Sequence, residues 1–314
     1  MGRRRELRAA VLGAAPRRLL TPAEPPLHAV EGRIVDASPH LLVLRAPART
    51  NGQEPVFYDF RMAMSESTVI WHGGKADLSA LVPGREAVVR PTADGLAADR
   101  VWVDILRVNG VIVSVARERG ARGAVHNVEV DQGPHRPRAH VVIPPENFGH
   151  ILVRHPRMEP GQLFDVIALR SERGPVAVRP GTAQAGPLAE VPSPAPGTLL
   201  RGTATWFSAE GRGAAYPALD PYGDAGGCAG APPSCAPLPL LSLGSTLHVR
   251  NDCGKRSAEV RVIECGCTAA RFCDRCVVCG TSPRGRVTEL TRASFVDLGG
   301  DLDVGCFNVT LVVG

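Results

Sequence analysis

Residues 261 to 280, RVIECGCTAARFCDRCVVCG, set five cysteines (Cys265, Cys267, Cys273, Cys276 and Cys279) into fifteen positions, directly behind a strand-like alternation that ends in Glu264. Three chemistries use such residues. The spacings C-x-C and C-x2-C-x2-C can supply four thiolates to a tetrahedral zinc ion, and the metal would order a loop with almost no apolar content of its own. The same thiols can close as disulfides in an oxidising compartment. A thiol nucleophile needs a base, and no histidine accompanies the cluster in sequence. The other four cysteines are Cys228, Cys235, Cys253 and Cys306, so all nine fall in the C-terminal third, and only that part of the chain needs whatever they do. Nine is odd: at least one thiol is left over or bonds another chain.

The elements that must hold these residues read as short strands. Aromatic content is 4%, against 28 prolines and 34 glycines in 314 residues, a balance that favours turn-bounded strands over long helices. Residues 1–26 are rich in arginine and proline without a period and read as a disordered tail. Residues 27–107 and 108–182 then read as two similar series of strands. Gly110-Val-Ile-Val-Ser-Val answers Gly32-Arg-Ile-Val-Asp-Ala at an offset of 78 residues, and Met158-Glu-Pro-Gly-Gln answers Leu81-Val-Pro-Gly-Arg at 77. That is the mark of a duplicated small barrel, OB-like with about five strands in each copy. Stacking aromatics are sparse in both copies, so a spacer or wall-contact module is expected and a nucleic-acid partner is not. Residues 183–199 form a Pro/Ala linker, and residues 200–314 a further all-β domain. In its closing strand Phe307, Val309, Leu311 and Val313 alternate with Cys306, Asn308 and Thr310, the pattern of a strand with one buried face. Ahead of that strand, Thr291 reads as the N-cap of a short helix ended by Gly299.

No run approaches the length of a transmembrane helix, and the basic N-terminus is followed by too short an apolar stretch for a cleavable signal. A net charge of +5 suits an acidic polymer without demanding one.

Within residues 200–314 the ordered blocks GTATWF, LSLGSTLHVRN, KRSAEVRVIECG, RVTELTRASFVDLGG and GCFNVTLVV resemble the RlpA-like double-psi β-barrel, related to expansins and barwin-type proteins. The resemblance implies a six-stranded double-psi barrel, an exported or envelope protein, and peptidoglycan or another wall polysaccharide as partner. It puts two family acids on Glu264 and Glu289, each one methylene longer than the aspartate of the pattern, and gives Thr205 and Trp206 as glycan-binding positions. The histidine that the transglycosylases of the family carry has no counterpart near Leu238, and His248, the one histidine of the domain, falls inside a strand. Three readings stay open: lytic transglycosylase-like cleavage by Glu264 supported by Glu289; non-catalytic, expansin-like wall binding; and, ranked below both, a zinc-dependent nucleic-acid binder built on the OB-like pair.

An exported wall protein meets oxidising conditions, which ranks disulfides above zinc at the cysteine loop. Cys228 is then expected to pair with Cys235, and the 265–279 cluster to be stapled internally and to Cys253 or Cys306. Apart from zinc as the alternative at this loop, no cofactor is expected.

Overall fold

The computed structural model describes residues 28–47, 56–121, 123–182, 199–223, 234–235 and 237–313. The expected tail and nearly all of the linker lie outside them, as does Cys228. The chain is all-β: two OB-like units are followed by a closed barrel of six strands.

In the first unit, β1 (Val30–Ala37), β2 (Leu41–Pro47) and β3 (Phe57–Ala63) form a meander. A small hairpin of β4 (Val69–Trp71) and β5 (Lys75–Ala76) precedes β6 (Glu86–Pro91) and β7 (Ala98–Val103), and the sheet runs β3-β2-β1-β6-β7-β4-β5. A single parallel bridge, Ala63 to Ala97, brings the third strand to the fifth of the underlying five.

The second unit repeats this plan in a closed barrel. β8 (Ile105–Gly120), β9 (Gly123–Asp131) and β10 (Ala139–Ile143) lead through the helix α1 (Pro145–Leu152) to β11 (Leu163–Leu169) and β12 (Val176–Pro180), in the order β10-β12-β11-β8-β9. The third and fifth strands are again parallel, here through Val142 and Val176. The helix occupies the place of the first unit's hairpin.

The duplication extends to single atoms. The first strand of each unit carries a bulge, between Ile34 and Asp36 and, 78 residues on, between Ile112 and Ser114. Gly84 N–H donates to Ile34 O at 2.8 Å, and Gly161 N–H donates to Ile112 O at 2.8 Å. Both turn glycines have positive φ, 92° and 88°, which is why a Pro-Gly pair marks each copy. Gly32 and Gly110 also share a role. A Cβ at Gly32 would stand 2.7 Å from Arg45 O, and one at Gly110 would stand 2.1 Å from Asp131 O, so the second strand crosses the first too closely for any side chain. Gly110→Ala is therefore expected to destabilise the chain by about 1–3 kcal/mol, and Gly32→Ala by a smaller amount. Chemical denaturation of the two variants checks both the size and the order. The units join at Asp104, a few residues before the boundary read from the sequence. Asp104 has φ 54°, and its Oδ1 accepts from Glu86 N–H at 3.2 Å.

The C-terminal barrel contains β13 (Leu200–Phe207), β14 (Ala214–Tyr216), β15 (Thr246–Asn251), β16 (Ser257–Cys265), β17 (Arg286–Thr291) and β18 (Cys306–Val313), in the closed order β13-β17-β14-β16-β15-β18. The contacts β13–β17 and β14–β16 are parallel and the others antiparallel, a mixed barrel consistent with the double-psi type. Thr291 caps α2 (Arg292–Asp297), its hydroxyl accepting from Ser294 N–H at 3.4 Å, and Gly299 ends the turn with φ 80°.

The single buried face expected for β18 is corrected: Cys306 and Thr310 are buried as well as Phe307, Val309 and Leu311. The outer face of this strand is covered, by Cys276 against Cys306 and by Asp252, which accepts from the Thr310 hydroxyl at 2.8 Å.

The first two units each have a core cluster of their own, and a further apolar cluster runs across all three units. Trp71, Val88 and Trp102 of the first and Ile105 and Ile167 of the second pack in the same cluster as Trp206, Leu290 and Phe307 of the third. Charged groups close the seams. Trp102 Nε1–H donates to Asp303 at 2.7 Å, Arg90 pairs with Asp301 at 2.6 Å, and Arg292 pairs with Glu31 at 3.0 Å.

Candidate functional site

Register brings the two sequence-predicted acids together. Ala215 of β14 is paired with Glu264 of β16 on one side and with Glu289 of β17 on the other, and Glu289 is paired in turn with Thr205 of β13. Residues directly opposite in neighbouring strands share a face, so Glu264, Ala215, Glu289 and Thr205 form one row across the barrel. Two strand spacings separate the acid backbones by about 10 Å, and the small side chain of Ala215 leaves the space between them open.

That space is filled by an arginine of the second unit. Arg136 lies in the loop between β9 and β10. Its Nε–H donates to Glu264 Oε1 at 2.8 Å, its Nη2 lies 3.1 Å from Glu289 Oε2, and its Nη1 donates to Asn109 Oδ1 at 3.2 Å. The guanidinium lies 4.3 Å from the centre of the Phe207 ring. Burial works against the charge of Arg136, but Glu289 and Glu264 outweigh it and hold the guanidinium above its ordinary range.

Glu289 is fully buried. It takes a hydrogen bond from Asn109 Nδ2–H, and Thr205 Oγ1 lies 3.5 Å from it. Arg286 Nη1 stands 3.7 Å away. Glu264 keeps a partly exposed side chain. The cleft between Glu264 and the arginine loop has room for about 10 Å³, enough for one water molecule and far too little for a sugar ring.

The loop is built to stay there. Asp131 Oδ1 accepts from Gly133 N–H at 2.9 Å, Gly133 takes φ 95°, and the Thr268 hydroxyl of the cysteine loop donates to Gln132 O at 2.7 Å. Sequence reading missed Arg136 and Asn109 because both belong to a unit read as a spacer. The motif Gly-Pro-His-Arg-Pro-Arg, a basic loop set between two strands, was the one available hint.

Trp206, expected to stack on sugar, is corrected to a core residue. Its neighbour Thr205 faces the acid row, so Trp206 points the opposite way, into the barrel. It is fully buried and its Nε1–H donates to Leu302 O at 2.9 Å. Thr205 is buried too and serves Glu289 rather than an open surface. His248 stands on β15 with Nδ1 3.4 Å from Glu259.

The cysteine loop divides its thiols. Cys235 is bonded to Cys273, not to Cys228, because the chain at Cys235 docks on the loop through its N–H to Ala270 O at 2.9 Å. Cys253 is bonded to Cys279, which staples the loop to one of the two expected anchors, and Cys276 Sγ lies 2.6 Å from Cys306 Sγ as a close contact of two sulfurs rather than a disulfide. Cys273, Cys276 and Cys279 thus go to three different places, and the zinc site suggested by C-x2-C-x2-C does not assemble. Cys265 and Cys267 stay together at the rim of the acid cleft, their Sγ atoms 2.8 Å apart. The two closed pairs fit a non-cytoplasmic setting. Among the described residues no helix is long and apolar enough to cross a membrane.

A second, larger cleft of about 1110 Å³ runs between the first unit and the C-terminal barrel. Its lining includes the exposed rings of Phe57 and Tyr58, with Arg33, Arg45 and Glu210.

The class defined by these features is an all-β protein of two OB-like units and a mixed six-stranded barrel, with an acid pair at the seam. No family model matches the chain, and no curated protein does.

Proposed function

We propose that the C-terminal barrel is an RlpA-like double-psi barrel that engages peptidoglycan or a related wall glycan in the envelope or outside the cell, with Glu264 as its working acid. The observation that carries this reading is the strand register, which sets Glu264 and Glu289 level on one face with only Ala215 between them. In this reading the Glu264 carboxyl gives its proton to the glycosidic oxygen as the C1–O bond breaks. The sugar's own C6 hydroxyl oxygen then bonds to C1, and its proton returns to Glu264, closing an anhydro ring without net consumption of water. Glu289, buried and fixed by Asn109 and Thr205, orients the site and supplies a neighbouring charge. Arg136 must withdraw before a sugar can enter, because its guanidinium occupies the space between the acids.

Non-catalytic wall binding is the second reading, and the large cleft favours it. A volume near 1110 Å³ with exposed Phe57 and Tyr58 suits a polysaccharide that stacks on rings and meets arginines at its edges. One experiment separates the two. Full-length protein is incubated with insoluble peptidoglycan, the supernatant is analysed by mass spectrometry for anhydro-muropeptides, and the pellet is assayed for protein. Cleavage predicts products that vanish in Glu264→Gln. Binding alone predicts protein in the pellet, no products, and weaker retention for Phe57→Ala with Tyr58→Ala. Neither products nor retention would sink both readings.

A further inference from the structure

We propose, on the basis of the wall-binding reading of the large cleft, that the glycan held there is a carboxylated one of uronic-acid type. Arg33 and Arg45 bind its carboxylates, and Phe57 lies under one of its sugar rings.

Strand register builds the floor of this cleft. Arg33 of β1 is paired with Arg45 of β2 on one side and with Glu86 of β6 on the other, and Arg45 is paired in turn with Asp59 of β3. Residues directly opposite share a face, so Glu86, Arg33, Arg45 and Asp59 form one row across the sheet. Two residues along, Pro47 is paired with Phe57 on the same face. The other face of these strands sends Ile34, Leu44 and Ala87 into the first unit's own core. The charged row therefore points away from that core and into the cleft, which Glu210 and Arg212 of the C-terminal barrel line as well.

Two arginines directly opposite in adjacent strands repel each other and destabilise the pairing unless an anion answers them. The outer carboxylates of the row do only part of this. Arg45 pairs with Asp59 at 3.1 Å, but Glu86 is engaged by Arg170 at 2.9 Å and by Arg292 at 3.7 Å. On the far wall, Arg212 is answered by Asp297 and Arg292 by Glu31. Among the described residues, Arg33 makes no ion pair and is exposed. A lone exposed arginine is ordinarily served by water. Here it stands beside a second guanidinium, about 5 Å away at the backbone, on the floor of a cleft of about 1110 Å³. Two planar forks side by side match carboxylates.

The rest of the lining selects a sugar as the carrier of that charge. Phe57 is 58% exposed and lies one strand repeat, about 7 Å, from Arg45. A carboxylate borne on a sugar ring meets the arginine while the ring covers the phenyl face. Glu210 makes no ion pair among the described residues. As an acceptor it takes hydrogen bonds from hydroxyl groups and repels a ligand that is anionic throughout, such as a polyphosphate.

The test titrates the full chain by calorimetry with a galacturonate hexamer, with the methyl ester of the same hexamer, and with inorganic polyphosphate of similar charge. The ester keeps the rings and removes the charge. The acid is expected to bind about tenfold tighter than the ester, and polyphosphate more weakly than the acid. Arg33→Gln should weaken the acid about tenfold and the ester far less, whereas Phe57→Ala should weaken both. Added salt should weaken the acid and spare the ester. Equal affinities for acid and ester, or acid binding unchanged by Arg33→Gln, would overturn the assignment of the arginines, while loss of both in Phe57→Ala would leave the wall-binding reading standing. Polyphosphate binding as tightly as the acid would overturn the carboxylate as ligand. If neither hexamer binds, the carboxylated glycan falls. Retention on whole peptidoglycan, weakened by Phe57→Ala with Tyr58→Ala, would then uphold wall binding without it, and no retention would remove both.

Discussion

Replacing Asp165 with Asn is expected to lower the stability of the chain by about 3–5 kcal/mol, among the largest effects of any single polar substitution in it. Asp165 is buried on β11 and answers two buried guanidiniums at once. Arg107 donates to both of its oxygens, at 2.9 and 2.7 Å, and Arg286 of the C-terminal barrel donates to Oδ2 at 2.5 Å. Arg107 also donates to Gly305 O at 2.6 Å, and Arg286 pairs with Asp274 at 2.8 Å over the face of Phe272.

The neutral amide would leave Arg107 as a buried charge with no carboxylate. Burial alone would push the Asp165 carboxyl upward, but Arg107 and Arg286 outweigh it and hold it far below the usual carboxylate range. The sign for pH follows. A folded-state value below the unfolded value of about 3.9 means a contribution that is complete above that pH and is lost as pH falls toward the folded value. The native chain should therefore lose stability below about pH 4 more steeply than Asp165→Asn, which has no such group to protonate. Since Asp165 ties the second unit to the third, the variant should also broaden or split the denaturant transition relative to that of the native chain. Asp59→Asn, which breaks an exposed pair with Arg45, provides the contrast and should change stability by about 1 kcal/mol or less. Equal losses for the two variants would show that the buried network does not carry the seam.

Much of the architecture could be read from local pattern. The 78-residue echo of Gly32 at Gly110 was legible because a strand crossing that tolerates no Cβ must spend a glycine, and the Pro-Gly turns because a positive φ demands one. The two acids were legible as positions in ordered blocks, and β-sheet register then brings them level. What could not be read is everything that crosses between units. Nothing in the spacing of Asn109, Arg136 or Asp165 shows that the second unit lies on the acid row, because such contacts depend on how finished barrels dock. Trp206 was misread for a related reason. An aromatic ring in a block of strand residues has two faces to choose from, and the choice was settled by Thr205 facing the acids. The cysteine pairing failed at Cys235 because sequence proximity favours closing a short loop with Cys228, whereas the backbone bond to Ala270 carries Cys235 to Cys273.

Arg136→Ala is the substitution with the largest expected effect on activity. In the proposed cleavage reading it should raise release of anhydro-muropeptides from insoluble peptidoglycan by about tenfold or more, since the guanidinium it removes sits where that reading places the sugar, and misplacement at a reacting centre costs rates of that order or greater. The gain should disappear in Arg136→Ala with Glu264→Gln. Stability should move the other way. Without Arg136, Glu289 keeps Asn109 and a more distant Arg286 but loses its shortest ion pair, and Phe207 loses the cation over its ring. A fall of about 3 kcal/mol is expected on that account. Arg136→Lys separates the two effects: a point charge can still neutralise the acids, but it cannot reach both with the planar fork of a guanidinium. Intermediate release with near-native stability would mean that Arg136 acts as a latch. Loss of stability without any gain in product would mean that the arginine is a permanent part of the seam, and it would shift the weight to the large cleft beside Phe57 and Tyr58 as the place where glycan is held.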